Sequence, residues 1–413
     1  MTTHPDLPTE TVGSTEPTAD PQLRLDYEWL HRYPELSTQE HHTAAFVEDR
    51  LRQAGLEPFR CGGTGVVAVL QNGQGPVAAF RADIDALPVQ EDTGLPYSSQ
   101  ATATNEAGET VPVMHACGHD AHTAMALAAA RSLATRRDTW SGTAVFIFQP
   151  GEETAQGATA MVDDRLWDRA PRPDVLFAQH VTASEAGTIQ LSPGSAFSMA
   201  DAWSVQVHGV QGHAAHPHQS VDAVVLAAHM VVRMQSIVSR EVPPLESAII
   251  SVGTIHAGLK ENIIAGRAEF TVNVRTFDPT VRERVLASLR RVISGEAHIS
   301  GASEPEITEL YRFPESINDQ YHATDTARHL GDALGHDRIT ITGPATASED
   351  VGHLTAPLQI PLVYWRLGSI AAARINQGPV PGNHSPQFAP DPEPTLAMGH
   401  RAAVAALLSV LQY

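Results

Sequence analysis

Segment 114–122 reads MHACGHDAH and contains two residue types that bind metals well, Cys117 and His119. The two residues stand two positions apart in a glycine-containing loop before a predicted helix, so both side chains can face one point. Thiolate and imidazole are good ligands for zinc and similar ions. The alternative interpretation is a helix N-terminus in which the His and Asp residues act only as caps.

A second segment, FQPGEETAQG, places Glu152 and Glu153 after a predicted buried strand and a Pro-Gly break. Adjacent residues in a loop can point in different directions. One carboxylate can therefore bind a metal while its neighbour serves as a general base that activates a water molecule. Two solvated acidic residues in a loop are the alternative.

The remaining candidates are informative mainly as a group. Asp83 and Asp85 in FRADIDALP would face the same side of a strand, where one can orient a metal-binding histidine, although loop capping is an equal alternative. His180 ends DVLFAQH, and His384 lies in PGNHSPQF. Five residues together are enough to hold two divalent ions for amide hydrolysis: Cys117, His119, Glu153, His180 and His384.

Length and charge narrow the class of protein. A chain of 413 residues exceeds the usual limit of one hydrophobic core, which predicts two domains. A formal net charge of -20 argues against nucleic acid as a partner, because phosphate binding needs clustered Lys and Arg. We found no apolar run approaching the roughly 20 residues of a membrane span, and so expect no membrane partner.

The N-terminal segment and the small number of cysteines predict the cellular compartment of the protein. Residues 1–20 are rich in Thr, Pro and acidic residues and lack the pattern of a signal peptide, so we interpret them as a disordered tail. Cys61 and Cys117 are too few for a disulfide framework, which favours the reducing cytoplasm.

Alternating helices and apolar strands surround the candidate residues. Residues 23–56 read as two amphipathic helices broken at Pro34, the second closing at Gly55, and two adjacent strands are expected in GVVAVLQNGQGPVAAFRADID. A long Ala-rich helix follows His119, and GTAVFIFQP and DVLFAQH fit buried strands. This order predicts an α/β sandwich whose strands deliver ionisable groups at their C-terminal ends.

The pattern changes near residue 200 to the order β-α-β-β-α-β. Its helices are expected from about Asp222 to Arg240 and from Thr280 to Glu296, with ITELYRF as the last strand. We therefore predict a compact α+β insert at residues 198–312, which divides the catalytic domain into residues 21–197 and 313–413.

Several motifs in the right order carry a family resemblance: FRADIDALP, MHACGHDAHT, QPGEE, QGHAAHPH, SED and PGNHSPQFAP. They resemble the amidohydrolases that include hippurate hydrolases, auxin-conjugate hydrolases and N-acyl-amino-acid aminoacylases, within the superfamily of two-metal aminoacylases and carboxypeptidases. The resemblance covers the chain from about residue 31 to the C-terminus. It implies a zinc-peptidase-like α/β/α sandwich with an inserted, ferredoxin-like α+β domain that acts as a lid and a dimerisation domain.

The resemblance also implies the chemistry. Two divalent ions per subunit, zinc first and otherwise manganese, cobalt or nickel, would activate water to cleave an N-acyl amino acid into a carboxylic acid and a free amino acid. Carboxypeptidase or dipeptidase cleavage in the same site is the alternative. Relatives carry a His-x-Asp motif where this chain has Asp83-Ile84-Asp85, so a ligand histidine is missing here and the role of Asp83 is open.

Individual roles follow from the same resemblance. The five residues grouped above would be the metal ligands, Glu152 the general base and Asp85 a supporting catalytic residue. His213 would stabilise the oxyanion, in some relatives across the interface of a homodimer, while Asn262 and Arg275 would grip the substrate carboxylate. From the residues alone, His213 fits a surface loop equally well, and Arg275 fits a structural ion pair.

The chain departs from the family motifs at two positions, and two other functions are also compatible with the sequence. The chain reads Asn262-Ile263-Ile264-Ala265-Gly266 where relatives have Asn-x-Ile-Pro-Asp, and Asp222-Ala223 where they have Asp-Pro, which weakens the carboxylate-binding assignment. A cysteine hydrolase would use Cys117 as a nucleophile activated by His115 or His119. A non-enzymatic binder of amino-acid conjugates is the other alternative. TWSGT, MVDD and SEDVGHL also resemble N-acyl-glutamine aminoacylases, without identifying the side chain that the pocket prefers.

Overall fold

The computed structural model describes residues 20–412, so the predicted tail lies outside the described residues except for Asp20. Within this range the strands are β1 (Phe59–Cys61), β2 (Gly65–Asn72), β3 (Val77–Asp83), β4 (Thr102–Thr104), β5 (Thr110–Pro112), β6 (Gly142–Gln149), β7 (Val175–Glu185), β8 (Ile189–Leu191), β9 (Gly194–Phe197), β10 (Met199–His208), β11 (Gly212–His213), β12 (Ala248–Ala257), β13 (Ile263–Ile264), β14 (Arg267–Thr276), β15 (Glu306–Phe313), β16 (Ser316–Asn318), β17 (Ile339–Ile341) and β18 (Leu362–Ile370).

The helices include both predicted N-terminal helices and the Ala-rich helix that begins at His119. They are α1 (Leu23–Arg32), α2 (His41–Gln53), α3 (His119–Thr135), α4 (Gly157–Asp163), α5 (Leu166–Arg169), α6 (Ala223–Arg240), α7 (Pro279–Ile299), α8 (Gln320–Leu334), α9 (Gly352–Thr355), α10 (Ala372–Ile375) and α11 (Pro392–Leu411).

A ten-stranded mixed sheet forms the centre of the molecule, in the order β1-β2-β6-β3-β7-β18-β16-β9, with β8 and β17 off this path. Successive residues of a strand point to opposite faces. Phe146 and Phe148 of β6 accordingly pack with α1, α3 and α11, whereas Val145 and Ile147 pack with α4 and α9. Two cores on opposite faces of one sheet confirm the predicted α/β sandwich.

The predicted adjacency of β2 and β3 is wrong. Strand β6 lies between them, antiparallel to β2 and parallel to β3. The Gly-Gln-Gly-Pro turn at residues 73–76 suggested a hairpin, but the apolar residues of β6 are buried on both faces and take the inner position. Because a fully apolar strand gains most free energy between two neighbours, burial overrides the local turn signal.

Strand β7 is also longer than predicted, since it continues five residues beyond His180 to Glu185. Its pairing with β3 ends at Arg81↔Ala178, so His180 lies two residues beyond the last β3 pair while still paired with Arg366 of β18. The predicted ligand is therefore part of a strand and does not follow one.

A second, four-stranded sheet has the order β12-β14-β10-β15, and all its pairings are antiparallel. Helices α6 and α7 share a separate core with these strands, which includes Trp203, Phe270 and Met230. The predicted order β-α-β-β-α-β is observed over residues 199–313. The division into domains at residues 198 and 312, and the lid and dimerisation roles, stay predictions.

Helix α11 is long and apolar enough to cross a membrane by length and composition, contrary to our expectation that no apolar run approaches that length. It is, however, 61% buried within the fold, against α3 and α8. Leu396, Ala403 and Leu407 are in the main core. Its apolar character is accounted for by packing in the protein interior.

Candidate active site

A cavity of about 720 Å³ lies where the two sheets meet. Its base is formed by residues of the central sheet and its loops, and its far wall by residues of β14 and β15. The lining includes Cys117, Glu152, Glu153, His180, Phe197, Arg275, Tyr311, Phe313, Ser348, Glu349, Arg366, Asn383 and His384.

Four of the predicted ligands converge at the base of this cavity. The sulfur of Cys117 lies 3.4 Å from His180 Nε2 and 3.2 Å from His384 Nε2. His384 Nε2 is also 3.3 Å from Glu153 Oε1. Donor atoms of Cys117, Glu153 and His384 all lie within 4.8 Å of one another, close enough to bind a common ion.

The fifth predicted ligand, His119, joins the cluster through Glu153, whose Oε1 lies 3.9 Å from His119 Nε2. Both of these atoms are buried and have no hydrogen-bond partner among the described residues. Buried polar atoms are costly when left unpaired. Two orphaned donor atoms that face each other, beside a thiol and further imidazoles, fit the binding of metal ions.

Asp85 holds His119 in this orientation. The Nδ1 atom of His119 lies 3.1 Å from Asp85 Oδ1 and 3.0 Å from the Asp85 carbonyl oxygen. Ser37 and the Glu153 backbone N–H donate to the second Asp85 oxygen. Donation from Nδ1 leaves Nε2 free as a ligand, which is the arrangement that metal-binding histidines generally have.

Asp83 has different partners from Asp85. Its carboxylate accepts hydrogen bonds from Arg81 at 2.7 Å and from His122 Nδ1 at 2.5 Å. His122 Nε2 accepts from the Val181 backbone N–H at 2.8 Å. Asp83 and His122 therefore fix the backbone beside His180. Sequence reasoning missed His122, although its position three residues after His119 puts both on one face of α3.

Backbone geometry positions the two loops that carry ligands. Gly118 has a φ of +84° and lies between Cys117 and His119, where a Cβ would come within 2.4 Å of Val181 Cγ2. His384 itself has a φ of +69°, and its N–H donates to the Ala116 carbonyl at 2.7 Å. The Asn383 amide donates to the carbonyls of Cys117 and Val181, which joins the two ligand-carrying loops to β7.

Burial and neighbouring charge set the protonation of the cluster. Burial lowers the pKa of His180 well below its usual value, which keeps the ring neutral and able to bind a metal. The hydrogen bond with Cys117 and the nearby Glu153 carboxylate raise the pKa of His384 to about 10 in the metal-free chain. Burial raises the pKa of the Cys117 thiol, the opposite of what a nucleophilic cysteine needs.

Glu152 differs sharply from Glu153 although the two are adjacent. Burial, followed by the charges of Glu349 and Glu153, raises the pKa of Glu152 well above its usual value. Its carboxylate lines the cavity, and its donor atom lies within 4.8 Å of those of His119 and Glu153. A carboxyl group with a raised pKa beside a ligand cluster is suited to accepting and returning a proton.

Of the three site residues predicted in the insert, Arg275 is separated from His213 and Asn262. Arg275 lines the cavity, where its Nη1 donates to the Thr346 carbonyl at 2.8 Å and to Ser348 Oγ at 3.0 Å. His213 and Asn262 are both exposed, and they are close together because His213 pairs with Ile263, the residue after Asn262. Neither is among the residues that line this cavity.

Comparisons with known proteins agree with this geometry. A sequence profile described as peptidase family M20/M25/M40 matches residues 79–408. The chain is 40% identical to an N-acyl-L-amino acid amidohydrolase of Geobacillus stearothermophilus, covering 76% of this chain and 82% of the relative. It is 33% identical to thermostable carboxypeptidase 1 of Saccharolobus solfataricus, covering 92% and 93%. A crystal structure described as a dinuclear metal-binding peptidase from Bacillus subtilis superposes with a TM-score of 0.75 at 28% identity, covering 94% and 98%.

Proposed function

This chain belongs to peptidase family M20/M25/M40 and is a hydrolase, and we propose that it cleaves the amide bond of N-acyl amino acids. The products are a carboxylic acid and a free amino acid. The observation that carries the proposal is a single cavity that combines a Cys/His/Glu cluster, the buried Glu152 and the guanidinium of Arg275.

The proposed metal ligands are Cys117, His119, Glu153, His180 and His384. Two orphaned buried atoms and a donor set of thiol, imidazole and carboxylate support them. Two divalent ions are proposed, with zinc first and manganese, cobalt or nickel as alternatives. When bound, such ions polarise a carbonyl oxygen and lower the pKa of water by Lewis acidity.

Glu152 moves the proton in the proposed mechanism. Its carboxylate takes a proton from the attacking water while the C–O bond forms, and returns it to the nitrogen as the C–N bond breaks. The raised pKa of Glu152, caused mainly by burial, favours a proton-holding state between the two steps.

Arg275 is proposed to bind the free carboxylate next to the scissile amide. Its contacts in the chain are to neutral oxygens of Thr346 and Ser348, and no carboxylate of the described residues lies within 4.0 Å of it. The guanidinium is thus free to form charge-assisted hydrogen bonds with a substrate carboxylate. The structural ion pair considered from the sequence is not observed among these residues.

We further propose a homodimer in which His213 and Asn262 act in the cavity of the partner subunit. Strand β12 is an edge of its sheet and exposes Ile255, and α6 exposes Val232 to 73%. Unpaired edges and exposed apolar side chains favour association. Sedimentation should give a dimer; a fully active monomer would exclude this role for His213.

Peptide cleavage is the second candidate, favoured by the 33% identity to a carboxypeptidase. A C-terminal peptide bond also lies next to a free carboxylate, so Arg275 would serve both reactions. The two differ in the acyl side, because a peptide presents an α-amino group there.

The test is a screen of purified protein with added zinc, manganese, cobalt or nickel. Substrates are N-acetyl, N-benzoyl, long-chain acyl and indole-acetyl amino acids, with matched dipeptides that have a free amino group. The proposal expects faster hydrolysis of the acylated members. Preference for dipeptides supports the second candidate, and no hydrolysis of either class contradicts both.

A further inference from the structure

The cavity contains a second arginine, Arg366, in addition to Arg275. It lies in β18, in direct register with His180 of β7. Adjacent strands are about 4.8 Å apart, and residues in register project from the same face. Arg366 therefore enters the cavity from the strand next to the one that carries His180.

The hydrogen bonds of Arg366 leave most of its donors unused. Only Nη2 has partners among the described residues, namely Thr342 Oγ1 at 2.7 Å and the Gly343 carbonyl at 3.3 Å. None of the described carboxylates lies within 4.0 Å of the guanidinium. Burial lowers the pKa of this group, and no acidic residue opposes that effect. A half-buried guanidinium with free donors and no anionic partner can form charge-assisted hydrogen bonds with an anion that enters the cavity.

Arg366 and Arg275 contact the same loop from different elements. Arg275 reaches it from β14 at Thr346 and Ser348, whereas Arg366 reaches it from β18 at Thr342 and Gly343. The loop itself is fixed, because the Ala345 N–H donates to the Ala196 carbonyl at 2.9 Å. One cavity thus presents two guanidinium groups that have no ion-pair partner within residues 20–412.

We infer that Arg366 binds a second carboxylate of the substrate, so that the enzyme prefers N-acyl amino acids with two negative charges over their neutral isosteres. The inference rests on the proposed function, in which Arg275 binds the first carboxylate. The second carboxylate belongs either to the amino-acid side chain or to the acyl group. Both sources have the same chemistry and form charge-assisted hydrogen bonds with free Nε and Nη1 donors.

Two pairs of substrates distinguish the sources. N-acetyl-glutamate and N-acetyl-glutamine differ only in the charge of the side chain, and N-glutaryl-leucine and N-pentanoyl-leucine differ in a charge on the acyl group. The wild-type enzyme should have a higher kcat/KM for the charged member of one pair. That pair identifies the part of the substrate that Arg366 contacts.

Arg366→Gln should lower kcat/KM for the preferred charged substrate by roughly 10-fold to 100-fold, mainly through KM, and leave its neutral isostere within about twofold. Arg366→Lys should recover part of the loss because it keeps the charge. Arg172→Gln removes an exposed arginine outside the cavity and should leave kcat/KM unchanged for both the charged and the neutral substrate. Equal kcat/KM within both pairs, or an equal loss for charged and neutral members in Arg366→Gln, would overturn the inference.

Calorimetry keeps this test independent of turnover. If no N-acyl amino acid is cleaved, the proposed function fails, and binding of the same four compounds still decides the role of Arg366. Tighter binding of a charged member that Arg366→Gln abolishes supports the second-carboxylate site. Equal binding of charged and neutral members by the wild-type protein overturns it.

Discussion

At the scale of single residues, Glu152 and Glu153 show how neighbours acquire different chemistry. Glu153 faces the imidazoles of His119 and His384, whereas Glu152 is buried beside Glu349 and has a strongly raised pKa. The Pro-Gly break before them lets the two side chains diverge. One carboxylate is therefore suited to metal binding and the other to proton transfer.

Substituting Glu152 by Gln separates these roles. The amide has the same shape but cannot take a proton from water, so kcat should fall by about 10²–10⁴-fold. The metal content of the purified protein should stay unchanged. Glu153→Gln is the matched variant, and it should lose metal as well as activity. Unchanged turnover in Glu152→Gln would refute the general-base role.

The sequence offered the five residues as metal-binding types in loops and at strand ends, and a family resemblance grouped them. In the structure, contacts of 3.2 Å to 3.9 Å connect all five. Sequence reasoning missed Arg366, which belongs to no distinctive motif, and His122, which lies in MHACGHDAH but was not singled out. Their significance depends on register and on helix packing. The relation of Arg366 to His180 becomes visible only when β7 and β18 are paired.

At the scale of elements, the turn before α3 has the strictest requirement on backbone conformation and side-chain size. Gly118 adopts a left-handed conformation between two proposed ligands and lies against Val181. Non-glycine residues in this region cost roughly 1–2 kcal/mol. A Cβ would also displace Val181, whose carbonyl is one of the two that Asn383 joins.

Gly118→Ala should therefore lower both metal content and kcat by about 10-fold or more, because the loop shifts Cys117 against His180. Gly63→Ala is the matched control, since Gly63 has a φ of +83° but nothing within 4 Å of its Cβ position. It should keep its metal content and activity. If Gly118→Ala behaves like the control, the loop is not what positions the cluster.

Element types were more predictable than their neighbours in the sheet. Helical periodicity and apolar runs are local properties, so α1, α2, α3 and α6 could be predicted within a few residues. The position of β6 between β2 and β3 is a long-range property. It depends on which strand gains most from burial on both faces, and no short segment carries that information.

At the scale of the whole molecule, a buried ion-pair network joins α1 to the segment that carries the cluster. His31 contacts Asp120 at 2.6 Å and Glu91 at 3.0 Å, and all three side chains are inaccessible to solvent. Burial opposes the charged form of His31, but the hydrogen bonds to Asp120 and Glu91 outweigh it and raise the pKa to about 9.

A raised pKa in the folded state stabilises the fold below the unfolded pKa of 6.5. The stabilisation is lost as the pH rises through about 9. The loss of unfolding free energy in His31→Gln relative to wild type should thus be largest at pH 6, where it exceeds the loss at pH 10 by up to about 3 kcal/mol. Urea unfolding at fixed metal concentration measures the difference. A destabilisation of His31→Gln that is the same at pH 6 and at pH 10 would contradict a role for the charged His31 pairs.

In the proposed function, amide hydrolysis depends on metal ions held by Cys117, His119, Glu153, His180 and His384. Wild-type protein is dialysed against a chelator, assayed with N-acyl amino acids, and assayed again after a divalent ion is restored. We predict that turnover disappears with the metal and returns with it, and that Cys117→Ala recovers neither metal nor activity. Turnover that survives complete metal removal, and is abolished instead by thiol alkylation, would contradict the claim and identify Cys117 as a nucleophile.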